Sequence, residues 1–175
     1  GACQKIGVAV PWDLLETLLD RRLARAGGQG PRVLWSFAHA MLRESLERRA
    51  ARRGRLARHH LGCARLFAEQ SEIGSAERLG RHLLAGGDAQ GAIEPLAAGA
   101  DEHIRRGDLR VALGLLLDRD AALSAIGVSP GDPRWAQGWA LCAFVETQRG
   151  RLDEALGWVR RVQAGARRSS WAPAL

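Results

Sequence analysis

The stretch 105–116, RRGDLRVALGLL, decides the fold because its pattern occurs at two other places in the chain. The related stretches are AGGDAQGAIEPL (85–96) and QRGRLDEALGWV (148–159). A glycine can adopt the positive φ that ends a helix, and a small alanine lets the next helix pack closely. Each stretch has both residues, five positions apart: Gly87 and Ala92, Gly107 and Ala112, Gly150 and Ala155. The three stretches therefore predict joins between packed helices.

Small residues also precede these joins. Seven positions before the three glycines lie Gly80, Ala100 and Ala143, and Trp139 lies eleven positions before the last glycine. We expect these positions to mark helix crossings. The joins are 20 and 43 residues apart, whereas a regular helix-turn-helix repeat of the tetratricopeptide type has about 34 residues. The pattern therefore predicts a degenerate repeat array, with a plain helical bundle as the alternative.

Helical periodicity extends over most of the chain from residue 38 onward. The pattern predicts helices over 75–85, 88–106, 108–125, 133–149 and 151–166, with Ser75 as a helix N-cap. Upstream, Pro11 opens a further helix, and RLARA (22–26) with RVLWSF (32–37) predicts a small β-hairpin. The predicted fold is all-α, with a helical repeat array and a small N-terminal hairpin.

Composition indicates a globular protein of one domain or two small ones. The chain has 175 residues, and its three cysteines include no C-x-x-C pair, which favours a reducing compartment. We expect no signal peptide, and no apolar run in the sequence is long enough for a membrane span. We therefore expect a cytoplasmic protein without membrane contact. The formal charge of +7 comes from residues 21–68, which hold twelve Arg and two Glu.

The stretch WSFAHAMLRESLERR (35–49) raises the question of an active site, because it holds His39 and Glu44. The two residues are five positions apart, so a helix would point them in different directions, whereas His39 and Arg43 share a face. We interpret His39 as a structural residue at the boundary of strand and helix. No other combination of nucleophile, base and acid suggests catalysis, and the carboxylates Asp118, Asp120, Asp101 and Glu102 are expected on solvated helix faces.

The segment WSFAHAMLRESLERRAARRGRLARHH resembles a motif of bacterial signal-transduction ATPases with numerous domains. In that family the motif ends a winged-helix region and leads into tetratricopeptide-like helices, to which HLLAGGDAQGAIEPLAAGADEHIRRGDLRVALGLL is also similar. Such modules occur fused to serine/threonine kinases, nucleotide cyclases and transcription regulators. The resemblance implies that residues Phe37, His39, Leu42, Arg43, Glu44 and Leu46 form a structural hinge. The nucleotide-binding motif G-x-x-x-x-G-K-[ST] is absent from this sequence.

The resemblance suggests four segments. We expect a partial winged helix in 1–37, basic connecting helices in 38–70, tetratricopeptide-like repeats in 71–168 and a tail in 169–175 that contains Trp171. The expected function is non-catalytic: the repeats dock a protein partner or a neighbouring domain of a larger bacterial signalling protein. No cofactor is expected, and signals would pass to an output domain such as a kinase.

Three further groups of residues are candidate binding sites. His59 and Cys63, four positions apart beside His60, could share a zinc ion if His82 or His103 joined them, but we favour a coincidental cluster and expect no metal site. Trp135 and Trp158 are candidates for partner contact, although core packing is favoured. Arg48, Arg52 and Arg55 are candidates for an acidic partner. The alternative function is DNA binding through the basic segment 12–65, which would be mainly a phosphate contact.

Overall fold

The computed structural model describes residues 11–27 and 34–167. Within these ranges the chain forms eight helices and one antiparallel two-stranded sheet, which confirms the prediction of a mostly helical chain with a small N-terminal hairpin. The helices are α1 (Trp12–Asp20), α2 (Ala40–Arg52), α3 (Leu56–Ala68), α4 (Ser75–Ala85), α5 (Ala89–Arg106), α6 (Leu109–Ala125), α7 (Pro133–Gln148) and α8 (Leu152–Ala166); the strands are β1 (Ala24–Gly27) and β2 (Leu34–Phe37). The predicted tail and the first ten residues lie outside the described residues.

Glycines end the helices at the three joins. Gly87, Gly107 and Gly150 have φ values of 87°, 78° and 74°, a left-handed conformation that strains any residue with a Cβ atom. The next helix starts two positions after each glycine, with one N-cap residue between them. At the first join, the Asp88 carboxylate caps α5 by accepting the N–H of Gly91 at 2.8 Å. Short loops therefore connect the helices of the array.

The predicted N-cap at Ser75 is wrong by one position. Gly74, with φ of 82°, occupies the cap of α4, and Ser75 is the first helical residue. The backbone N–H of Gly74 donates to Oε2 of Glu102 at 3.0 Å. A carboxylate from α5 therefore satisfies a backbone donor at the start of α4, which the local sequence pattern could not show.

The described N-terminal helices and strands bury few side chains. β1 and β2 pair with Ala24 opposite Phe37 and Gly27 opposite Leu34. Neither α1 nor α2 has a buried residue, and the Met41 side chain on α2 is 79% exposed. Among the described residues, α1 packs only lightly on β1, and α2 only lightly on β2 and α3, so the apolar positions of these two helices are at most half-buried.

The core lies in the later helices. From α3 to α8, each helix packs chiefly against its neighbours in sequence. The main cluster of buried side chains comes from α5, α6 and α7: Ala92, Leu96, Ala100, Ala112, Leu115, Leu116, Cys142 and Val145. A second cluster joins Ile93 to Ala122 and Leu123. Among the described helices, none combines the length and apolar character needed to cross a bilayer.

Candidate functional site

A groove runs along α3, α4 and α5. It consists of two adjoining cavities of about 380 and 470 Å³. Ala68, Leu79 and Pro95 line both cavities, so the two cavities form one continuous depression. Phe67 and Ala98 extend its apolar floor in the first cavity, and Leu61 and Leu83 extend it in the second.

Small residues set the spacing of the helices beneath this groove. A Cβ atom on Gly80 would lie 2.8 Å from the backbone nitrogen of Leu96, and one on Gly99 would lie 2.9 Å from that of Glu77. These pairs show that α4 and α5 run antiparallel and almost in backbone contact. Gly80 was predicted as a crossing position, whereas Gly99 was not identified.

A proline interrupts the hydrogen bonding of the helix that forms one wall. Pro95 lies inside α5 and has no N–H, so it cannot donate to the carbonyl of Gly91 four residues earlier. Gly91 and Pro95 both line the second cavity. The wall of the groove can therefore present a backbone carbonyl as an acceptor to a bound molecule.

The charge of the groove differs from that of the chain as a whole. Glu72, Glu94 and Glu102 line the first cavity, and none of its described lining residues is basic. The second cavity has one acid, Asp88, and one base, Arg65. The first cavity is therefore locally acidic in a protein with a formal charge of +7. It can offer apolar contact, negative charge and hydrogen-bond acceptors to a ligand.

Two histidines connect α3 to α4 near the groove. The Nδ1 atoms of His60 and His82 lie 2.9 Å apart, a distance that requires one ring to donate and the other to accept. The ring of Phe67 stacks on His82 with centroids 5.6 Å apart. Burial lowers the pKa of His82, and the charge of a protonated His60 lowers it further.

The structure does not bring His59 and Cys63 into a metal site. His59 is exposed, and it is His60 that contacts His82 from the neighbouring helix. Within residues 11–27 and 34–167, no group of three or more His, Cys, Asp or Glu residues could hold a metal ion. His103 instead bonds to Glu77 through Nε2 at 2.7 Å.

A polar cluster lies between α6 and α7, where solvated carboxylates were expected. For Asp120 this expectation is wrong: its side chain is 15% exposed, and its neighbour Arg119 is buried. Nη2 of Arg119 donates to the carbonyl of Arg134 at 2.9 Å. Nη1 of Arg119 and Oδ1 of Asp120 are buried without a hydrogen-bond partner among the described residues and lie 3.7 Å apart.

The other three expected carboxylates have different surroundings. Asp118 lies at the surface of α6, 3.8 Å from Nε of Arg81, and Asp101 is exposed and pairs with Arg105. Glu102 is half-buried and accepts a hydrogen bond from the backbone N–H of Gly74, at the start of α4. These carboxylates are thus dispersed over the array rather than gathered at one reacting centre.

Trp135, Trp139 and Trp158 are half-buried components of the array. Trp135 packs on the second core cluster, and its Nε1 is buried without a partner among the described residues. Its ring lies 5.6 Å from that of Trp139. Trp158 packs against the main cluster, with the guanidinium of Arg161 4.4 Å above its ring. Trp135 and Trp158 therefore have substantial packing roles and do not line the groove.

The basic candidates lie apart from the groove. Arg48 and Arg52 are exposed on α2, and Arg55 is exposed just before α3. His39 occupies the N-cap position of α2, between strand and helix, and its side chain makes no capping hydrogen bond. Glu44 is exposed on the same helix.

The groove itself was missed by the sequence analysis. Pro95 inside a helical pattern was the one available signal, because an internal proline marks a helix whose backbone departs from regular hydrogen bonding.

Comparison of the chain with protein-family models, curated proteins and solved structures found no match.

Proposed function

We propose that this chain is a tetratricopeptide-like regulatory module that docks a protein partner and catalyses no reaction. The resemblance described above suggests that it acts within a larger bacterial signalling protein. The observation that carries the proposal is the continuous groove over α3, α4 and α5, with an apolar floor and acidic side chains. An apolar groove between helices with charged edges can take a peptide segment that lays its apolar side chains on the floor.

The repeat interpretation is supported by the joins and the crossings. All three join glycines have positive φ, and Ala92, Ala100 and Ala112 are fully buried. Each helix from α3 onward packs chiefly on its neighbours in sequence, as in a solenoid. These features favour a stacked repeat over a bundle closed around one central axis.

The chemistry of the groove selects a class of partner. Three carboxylates at the first cavity favour a segment that carries Lys or Arg, and the apolar floor favours one or two large aliphatic or aromatic anchors. The carbonyl of Gly91 can accept a backbone N–H from such a segment. We therefore expect a basic peptide segment with apolar anchors.

A displayed library of random twelve-residue peptides tests this function. Selected peptides should be rich in Lys, Arg and large apolar residues and should bind less tightly as salt is raised. Ala98→Trp would fill the first cavity and should weaken binding at least tenfold. Ala121→Trp, at an exposed position of α6 outside the groove, is the matched control and should bind normally.

Two results would overturn the proposal. One is a library from which no peptide is enriched above background. The other is a set of selected peptides whose affinities are equal for the parent, Ala98→Trp and Ala121→Trp proteins. In that case the groove is not where the partner binds.

A second candidate function rests on α2. This helix has no buried residue and exposes Arg48 and Arg52, and Arg55 follows it, so its basic surface is accessible to phosphates. Binding to DNA should then be nonspecific and should fall steeply with salt. Affinities for one duplex and for scrambled duplexes at two salt concentrations would show this. A preference of about a hundredfold for one sequence would instead indicate specific reading.

A further inference from the structure

The outer face of α8 carries an uncovered apolar stripe. Leu152, Leu156 and Val159 are 62%, 52% and 40% exposed. Their spacing of four and three residues places them on one face of the helix. Ala155 is buried on a neighbouring face of the helix, which α7 covers, whereas these three side chains are exposed.

We propose that this stripe is the contact surface for a second copy of the chain, with the two α8 helices packed antiparallel across a two-fold axis near Leu156. Self-association goes beyond the peptide-docking function and does not depend on it. A two-fold contact needs a self-complementary surface. In this register Leu156 meets Leu156 of the second copy, and Leu152 meets Val159 of the second copy.

Charge on α8 supports the antiparallel direction. Asp153 lies near the start of the helix, and Arg160, Arg161 and Arg167 lie in or after its second half. Parallel packing would bring like charges together. Antiparallel packing brings the acidic end of each helix to the basic end of the other, which the helix dipoles also favour.

One pair of charged residues further defines how the two α8 helices align. Asp153 and Arg160 are exposed and seven residues apart, so they lie on the same side of the apolar stripe. In an antiparallel pair each side of one helix faces the same side of the other. The two-fold axis near Leu156 therefore sets Asp153 opposite Arg160 of the second copy, twice in each dimer.

The opposite side of the stripe belongs to the contact with α7. Ala155 is buried there, and Trp158 packs against the main core. As far as the described residues show, the side with Asp153 and Arg160 is the one open to a second helix. Since the apolar stripe contains three side chains, we expect a weak, concentration-dependent dimer of the kind formed by small interfaces.

Sedimentation equilibrium of the full chain at rising concentration tests the proposal. The average mass should rise from that of the monomer toward twice that value. Leu156→Glu should abolish the rise because it brings two carboxylates together at the axis. Leu117→Glu is the matched control, since Leu117 is 45% exposed on α6, and it should dimerise like the parent.

Charge reversal tests the direction of packing. Asp153→Arg and Arg160→Asp should each weaken dimerisation about tenfold, because symmetry turns two attractive pairs into repulsive ones. The double variant should restore the parent's affinity. Circular dichroism of each variant checks that the fold is retained.

A monomer at every concentration would overturn the proposal, and so would a dimer that Leu156→Glu leaves intact. Failure of the double variant to recover would contradict the antiparallel register. None of these outcomes depends on the peptide selected for the groove. Failure of the dimer and failure of peptide docking can therefore be distinguished.

Discussion

The indole Nε1 of Trp139 donates a 3.0 Å hydrogen bond to Oδ2 of Asp120 and thereby joins α7 to α6 through a mostly buried carboxylate. Burial raises the pKa of Asp120, while the hydrogen bond from Trp139 and the charges of Arg119 and Arg161 oppose that rise. The other oxygen of Asp120 lies 3.7 Å from Nη1 of Arg119 but has no hydrogen-bond partner among the described residues, so the bond from Trp139 provides most of the direct hydrogen-bonding stabilisation of this carboxylate.

Trp139→Phe should therefore lower the free energy of unfolding by about 1–3 kcal/mol, since it leaves a buried acceptor without its donor. Trp135→Phe is the matched control, because its Nε1 has no partner to lose among the described residues. Urea denaturation of both variants would measure the difference. Equal losses would show that ring packing, rather than the hydrogen bond to Asp120, determines the effect.

Gly138→Ala should also destabilise the contact between α6 and α7. An added Cβ would lie 2.7 Å from Nη1 of Arg119 and 3.2 Å from Oδ1 of Asp120. The guanidinium would have to move within a buried site, at a cost of about 1–3 kcal/mol.

Gly114→Ala provides the control for this substitution. It lies inside α6 with nothing within 4 Å of the added Cβ, so alanine should stabilise the helix by about 0.5–1 kcal/mol. Thermal melting should shift the two variants in opposite directions. A Gly138→Ala protein as stable as the parent would contradict the buried position of Arg119.

The sequence predicted the positions of the helices well because glycines lie at the joins between them. Gly107 and Gly150, for example, end helices within one residue of the predicted positions. The sequence could not show that Arg119 and Asp120 are buried, since a charged pair in a helical pattern usually indicates a solvated face. The burial of these two side chains depends on where α7 crosses α6, and a crossing angle leaves little trace in local periodicity.

The groove escaped prediction for a related reason. Its floor combines Ala68, Leu79 and Pro95 from three helices, and each side chain is ordinary within its own helix. The apolar stripe of α8 shows a second limit of prediction from periodicity. Leu152 and Leu156 predict an apolar face correctly, but periodicity does not indicate whether another helix of the same chain covers that face.

Ala112→Leu and Ala155→Leu should each destabilise the fold by about 1–3 kcal/mol through overpacking. Ala112 is fully buried and Ala155 is 6% exposed, so a larger side chain must displace a neighbouring helix. Ala51→Leu is the control, because Ala51 is exposed on α2 and the helix propensities of Ala and Leu are close. If both core variants melt within about a degree of Ala51→Leu, these positions are not close crossings.

The His60–His82 contact should make stability depend on pH. The pKa of His82 in the folded protein is lowered from its ordinary value of 6.5, so the unfolded chain binds more protons in mildly acidic solution. The stability contribution of His82 is therefore present above pH 6.5 and is lost as pH falls below it.

His82→Phe keeps a ring to stack on Phe67 and removes this titration. Melting temperatures of the parent and the variant at pH 7.5 and 5.5 would measure this effect. On acidification, the melting temperature of the parent should fall further than that of the variant. Groups outside this contact are the same in both proteins, so their contributions cancel in the comparison. An equal loss in the two proteins would show that His82 does not sense pH.

Pro95→Ala should stabilise the protein and weaken peptide binding together. Alanine supplies the N–H that Pro95 lacks, so the carbonyl of Gly91 gains a helical hydrogen bond. An interior proline costs a helix about 3 kcal/mol. Replacing it increases the conformational entropy of the unfolded chain, which lowers the free energy of unfolding by about 0.4–1 kcal/mol. Because partial burial of the proline ring is also lost, we expect a net gain of about 1–2 kcal/mol.

The same bond would occupy the acceptor that the groove presents to a bound peptide, so affinity should fall while stability rises. Pro133→Ala is the control, since Pro133 is the first residue of α7 and its missing N–H has no helical acceptor. Chemical denaturation and peptide titration on the same samples would separate the two effects. A Pro95→Ala protein that is less stable than the parent would contradict the gain of a helical hydrogen bond. One that binds peptide normally would exclude the Gly91 carbonyl from recognition.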